Sequence, residues 1–226
     1  MRFHFNKYIT SIAHRGYSGK YKGNSLLAFK KAYDRNFDMI ELDIQACKSG
    51  ELIVHHDPFI KYNSVNDLTL KDIKSLDKSI LTFKEFLTIL PYKKKSLYLD
   101  LKGGEKTAYN LFAFIKTWDI DYKNMIAFSF NMEHLNLLKN KLPNLKRGLI
   151  TCNKPDETLL KYIENNVDYI SLSYDILDHE LIKKIKTLDK IIYTFTLSTK
   201  KEANYVKNFD IDGVVSDFKV MRSFYN

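Results

Sequence analysis

The chain has 226 residues, of which 45% are hydrophobic and 28% charged, with only 8 Gly and 4 Pro. That is a globular composition on a length that one sizeable core can serve, and it excludes collagenous, low-complexity and disordered readings. Lys and Arg outnumber Asp and Glu by 36 to 27, a formal charge of +9, so anionic molecules are drawn to the surface whatever the function.

Apolar, β-branched or aromatic runs alternate with segments of helical spacing along the whole chain. A strand is predicted near 8–14, followed by a helix carrying Leu26, Leu27, Phe29, Ala32 and Tyr33 behind the start signal Asn24-Ser25. The second strand falls near 38–46, and the run 52–55 reads as an extension that follows it. Residues 58–92 form a longer connection with two short helices, around Leu70 to Leu76 and Phe83 to Leu90. Strands near 96–102, 125–130, 147–151, 168–173, 191–197 and 211–216 then alternate with helices. Start signals stand at Asn131, Pro155-Asp156, Asp178 and Ser198-Thr199. A β-then-α unit repeated about eight times predicts an α/β fold: a single (β/α)8 TIM barrel over 1–226 with a short insertion after the second strand. In such a barrel the chemistry gathers where strands end and the following loops begin.

Polar residues sit at those positions. The first strand ends in His14-Arg15-Gly16, a proton carrier beside a fixed cation, the pair that an anionic phosphoryl centre needs. In the second strand Glu41 and Asp43 alternate and project to one side, flanked by Met39, Ile40, Leu42 and Ile44, which argue for a buried strand. Two neighbouring buried anions repel and lose hydration, and a shared divalent cation is the simplest way to keep both ionised. The run Leu52-Ile53-Val54 ends in His55-His56-Asp57, where strand alternation lets only one imidazole face the site. Asp100 and Lys102 repeat the same-face pattern; Asp100 suits an oxygen-rich metal shell and Lys102 a phosphate oxygen, while a simple ion pair between them is the alternative.

Taken in order, His14-Arg15-Gly16, Asn24-Ser25-x-x-Ala28-Phe29, Glu41-x-Asp43, Val54-x-His56-Asp57 and Asp100-x-Lys102 resemble the glycerophosphodiester phosphodiesterase family. The resemblance continues through Leu81-Thr82-Phe83-Lys84-Glu85-Phe86-Leu87, Phe128-Ser129-Phe130-Asn131, Phe195-Thr196-Leu197 and Asp212-Gly213-Val214-Val215-Ser216-Asp217. It implies a barrel enzyme that hydrolyses glycerophosphodiesters to glycerol phosphate and an alcohol with one divalent cation, Ca²⁺ or Mg²⁺. It further implies Glu41, Asp43 and Asp100 as metal ligands, His14 and His56 as the acid/base pair, and Arg15 and Lys102 as phosphate contacts. Phe195, where relatives often carry Trp, would give an apolar wall for the glycerol. The nucleophile implied is the glycerol 2-hydroxyl, which gives a cyclic phosphate that water opens.

Two departures from that family are visible besides Phe195. Asp100 stands where many relatives have Glu, and Lys22-Gly23-Asn24-Ser25 stands where they usually read Pro-Glu-Asn-Thr, so a carboxylate near His14 and Arg15 is missing. Gly23 motivates an alternative, a catalytically impaired paralogue acting as a binding or regulatory barrel, in which Gly23→Glu would restore turnover. A lysophospholipid-directed phosphodiesterase is a further alternative.

The remaining features narrow the partners. Cys47 and Cys152 are the only cysteines, too few for a disulfide framework or a thiolate zinc site. The segment Met1-Arg2-Phe3-His4-Phe5-Asn6-Lys7 carries charge where an apolar signal core belongs, and no run approaches the roughly 18 apolar residues of a membrane span. A cytoplasmic protein with a small-molecule substrate and no stable membrane insertion is expected. Short basic runs such as Lys93-Lys94-Lys95 have no nucleic-acid motif beside them, so no nucleic-acid partner is expected. Composition leaves the oligomeric state open.

Overall fold

The computed structural model describes residues 8–220. Strand β1 (Thr10–Ala13) leads through a long loop to helix α1 (Leu26–Asp34) and strand β2 (Met39–Ala46). The insertion follows, with β3 (Leu52–Val54), the two-residue strands β4 (Phe59–Ile60) and β5 (Asn63–Ser64), and helices α2 (Leu70–Leu76) and α3 (Phe83–Ile89). Strand and helix then alternate through β6 (Ser96–Leu101), α4 (Lys106–Thr117), β7 (Met125–Ser129), α5 (Met132–Lys141), β8 (Lys146–Thr151) and α6 (Glu157–Asn166). The last turns of the alternation are β9 (Tyr169–Ser173), α7 (His179–Lys186), β10 (Ile191–Leu197), α8 (Lys200–Val206) and β11 (Gly213–Ser216).

Strands β1, β2 and β6 to β11 run parallel and close on themselves, because β1 pairs with both β11 and β2. The expected eight-stranded barrel is therefore present, and β3 is the anticipated extension, antiparallel to β2 through Ile44↔Val54 and Ala46↔Leu52. The β4–β5 hairpin was not anticipated, because two-residue strands show no periodicity to read. Sequence signals set the helix starts. The side chains of Ser25, Asn131, Asp156, Asp178 and Thr199 each accept a backbone N–H of the first turn, worth about 1 kcal/mol apiece.

Strand alternation sorts the core into shells. Ile40, Leu42 and Ile44 of β2 and Leu97, Leu99 and Leu101 of β6 pack outward with α1, α3 and α4, whereas Ile192 of β10 and Val214 of β11 pack outward with α6, α7 and α8. The intervening residues Ile12, Met39, Tyr98, Ile126, Phe128, Ile150, Tyr193 and Val215 fill the barrel interior. Tyr98 and Phe128 stack there at 3.6 Å between centroids and 4° between planes. Two residues further along these chains stand Glu41 and Asp100 within their strands and His14 and Asp217 just past theirs, so the apolar plug is the floor of a polar mouth.

Gly148 makes room for that plug. A β-carbon there would lie 2.1 Å from Cε1 and 2.3 Å from Cδ1 of Phe128. Gly148→Ala must displace the Phe128 ring from its stack on Tyr98, with an expected loss of about 1–3 kcal/mol of unfolding free energy, read as a lower chemical-denaturation midpoint. An unchanged midpoint would show that the ring has somewhere else to go.

Candidate active site

The chain turns sharply after β1. Arg15 adopts φ 51° and Gly16 φ 78°. A β-carbon on Gly16 would stand 2.7 Å from the Ala28 carbonyl carbon and 2.8 Å from the Phe29 nitrogen, so only glycine lets the turn press against α1. The turn aims the Arg15 backbone N–H at Glu41 Oε2 (2.5 Å) and brings Arg15 Nε to 3.1 Å from Asp43 Oδ2. Asn24, at φ 57°, adds a two-point grip on the same residue. Its Nδ2 donates to Asp43 Oδ2 at 2.7 Å, and its Oδ1 accepts the Asp43 backbone N–H at 3.3 Å.

Register brings the acids together. Asp43 and Asp100 are direct partners on the parallel pair β2–β6, with Glu41 opposite Tyr98 two residues earlier. Glu41, Asp43 and Asp100 are all buried, and each offers a carboxylate oxygen within 4.8 Å of the others. Lys102 Nζ lies 2.7 Å from Asp100 Oδ2 and 3.4 Å from Asp43 Oδ1. Asp100 thus pairs with Lys102 and lies among the other two carboxylates as well. Asp100 Oδ1 is buried without any hydrogen-bond partner.

The protonation equilibria follow from this crowding. Burial first, then the charges of Asp43 and Asp100, push the Glu41 carboxyl well above the usual range. Burial also raises Asp100, to about 6, against the opposing pull of Lys102. For Lys102 burial acts downward, but Asp100 and Asp43 outweigh it and leave the ammonium above its ordinary value. Three buried carboxylates with one unspent oxygen form an oxygen-only donor set that suits a hard cation, so this cluster can hold a metal ion.

Two imidazoles border the cluster. His14 Nδ1 lies 2.7 Å from Asp217 Oδ1. Asp217 also accepts from Ser18 Oγ (2.7 Å) and Ser198 Oγ (2.5 Å), and these hydrogen bonds hold its carboxyl far below the usual range in spite of burial. His56 Nδ1 lies 2.7 Å from Asp57 Oδ1, and its field reaches Asp100. His55 instead directs Nε2 to the Phe59 carbonyl at 3.1 Å, in the β4–β5 hairpin, so the two neighbouring histidines do face different surroundings. Phe195 meets Phe130 edge-to-face at 6.1 Å, and Lys102 Nζ stands 5.4 Å from the centroid of the Phe130 ring.

Three features went unread in the sequence. Asn24 and Asp217 occur in motif stretches but carried no assigned contact, and Phe130 looked like a strand residue. Gly23 is the fourth surprise: a β-carbon there would lie 3.1 Å from Arg15 Cβ and 3.2 Å from Cδ, a tight approach to the arginine stem.

Fold and site together define a TIM-barrel phosphodiesterase. The chain belongs to the Glycerophosphoryl diester phosphodiesterase family, whose sequence model matches residues 14–220. It is 27% identical to a glycerophosphodiester phosphodiesterase of Caldanaerobacter subterraneus subsp. tengcongensis over 91% of this chain and 93% of that protein. It is 25% identical to one from Bacillus altitudinis over 92% of this chain and 94% of that protein. The crystal structure of a glycerophosphodiester phosphodiesterase from Thermotoga maritima superposes with a TM-score of 0.79 at 25% identity, covering 93% of this chain and 95% of the other. An Oleispira antarctica phosphodiesterase, solved in complex with the product sn-glycerol-3-phosphate, shares the fold at a TM-score of 0.83 and 20% identity, over 95% and 94% of the two chains. Among the described residues no helix is long and apolar enough to cross a membrane.

The raised carboxyls make stability depend on pH. Glu41 and Asp100 bind protons more tightly folded than unfolded, so stability falls as pH rises above about 4, through about 6 for Asp100 and onward for Glu41. A divalent cation held by the cluster would relieve that loss. Millimolar Ca²⁺ or Mg²⁺ should raise the melting temperature at about pH 7.5 and much less at about pH 5. Equal shifts at the two pH values would locate the cation effect elsewhere.

Proposed function

We propose that this chain, acting as one domain, hydrolyses glycerophosphodiesters to glycerol 3-phosphate and an alcohol. Glu41, Asp43 and Asp100 hold one divalent cation, Ca²⁺ or Mg²⁺, and His14 and His56 move the protons. The observation that carries this reading is the convergence of three buried carboxylates, two imidazoles, one guanidinium and one ammonium on a single mouth of the barrel. The relatives' activity and the product held by the Oleispira antarctica enzyme support the choice of substrate.

A divalent cation held by Glu41, Asp43 and Asp100 would supply Lewis-acid neutralisation of the phosphoryl charge. Arg15 and Lys102 hold the other phosphoryl oxygens and oppose the charge that grows as the phosphorus gains a fifth oxygen. One imidazole removes the proton of the glycerol 2-hydroxyl as its oxygen bonds to phosphorus; the other protonates the departing alkoxide. Water then opens the cyclic phosphate with the two roles exchanged. Phe195, backed by Phe130, presents an apolar wall to the glycerol carbons.

The alternative of an impaired paralogue rests on Gly23, and the surroundings of the site speak against it. His14 has its carboxylate in Asp217, and Arg15 has Glu41 and Asp43, without any help from position 23. A β-carbon at position 23 would crowd the Arg15 stem without supplying anything His14 or Arg15 lacks, so Gly23→Glu should give no gain in activity, against the sequence expectation. A rise in turnover would revive the paralogue reading.

The direct test is release of glycerol 3-phosphate from glycerophosphocholine and glycerophosphoethanolamine, beside a lysophospholipid and a substrate analogue lacking the 2-hydroxyl. Chelator and Asp43→Asn should abolish release, His14→Ala should cost about 10²–10⁴-fold, and the analogue should react poorly. Full activity in His14→Ala or in chelator would overturn the assignment, and preference for the lysophospholipid would redirect it.

A further inference from the structure

Asp217 stands apart from the acidic cluster. It follows β11 and receives His14 Nδ1 and Ser18 Oγ on Oδ1, both at 2.7 Å, and Ser198 Oγ on Oδ2 at 2.5 Å. Its backbone is tied to the same loops, with N donating to the Leu197 carbonyl at 3.0 Å and O accepting from Gly19 N at 2.9 Å. The segments after β1, β10 and β11 therefore meet on one residue. An ionised carboxylate only accepts hydrogen bonds, so its contact with His14 requires hydrogen on Nδ1. A neutral imidazole with Nδ1–H carries its lone pair on Nε2, at the far side of the ring.

We infer that Asp217 is the positioning residue of His14: it selects the Nδ1–H tautomer and points Nε2 at the reacting atoms, with Ser18 and Ser198 holding the carboxylate in plane. When Nε2 takes up a proton, the imidazolium keeps its Nδ1–H on Asp217 and the carboxylate stays ionised; when Nε2 gives the proton to an oxygen, the neutral tautomer is restored. The pair joins residues 203 positions apart, which accounts for its invisibility to any local motif. The inference rests on the proposed role of His14 as a proton carrier.

Asp217→Asn tests it, because the amide keeps the shape of the side chain and can turn its NH₂ toward His14, favouring hydrogen on Nε2. With glycerophosphocholine, kcat should fall at least about tenfold while KM stays within about twofold. Ring ¹⁵N NMR of His14 should report Nδ1–H in the parent protein and Nε2–H in the variant. Ser18→Ala combined with Ser198→Ala loosens the loops but spares the His14 contact, and should lose less kcat with the tautomer unchanged. Wild-type kcat in Asp217→Asn, a loss fully reproduced by the double serine variant, or Nε2–H in the parent protein would each overturn the inference. If the parent released no glycerol 3-phosphate, the substrate reading would fail, whereas the NMR signal would still decide the Asp217–His14 pairing.

Discussion

Three carboxylates lie above an apolar, aromatic floor, and their mutual repulsion organises the rest of the mouth. Tyr98 and Phe128 seal the barrel beneath Glu41 and Asp100, so water cannot hydrate the acids from below. Their charge must be met from above and from the side. The Arg15 turn, the Asn24 amide and Lys102 all converge on this cluster, and each spends its polar groups on it. Strained backbone at Arg15 and Asn24 fits the same account, since positive φ is what brings both residues over the acids.

The part of the mouth beyond β1, at the end of β11, is built differently. There a single carboxylate, Asp217, is fully spent on donors and stays ionised, while two residues of the central cluster hold their protons more tightly. One fold thus gives similar side chains different proton affinities by surroundings alone: acids short of donors hold protons tightly, and an acid rich in donors stays ionised beside an imidazole.

Much of this was legible in the chain, for a physical reason. The two-residue alternation of Glu41-x-Asp43 and Asp100-x-Lys102 reports which side chains share a barrel face, and five of the anticipated helix starts are real caps. What alternation cannot report is partnership across strands distant in the chain. The Asp43–Asp100 register, the Asp217–His14 pair and the Phe130–Phe195 contact exist only after closure. At Gly23 the absence of a charge is visible in the sequence, whereas the closeness of the arginine stem is not.

The two imidazoles hang from different parts of the molecule. His14 leaves a strand of the closed barrel, while His56 follows β3, which is bonded to the barrel along one edge and anchored beyond by a small cluster of its own around Ile53, Ile60, Val65 and Ile73. Leu52 and Val54 of β3 also pack into the main core, so displacing β3 would disturb the surroundings of His56 and that core together. The placement of this imidazole and the integrity of the barrel wall are thereby linked through one short antiparallel strand.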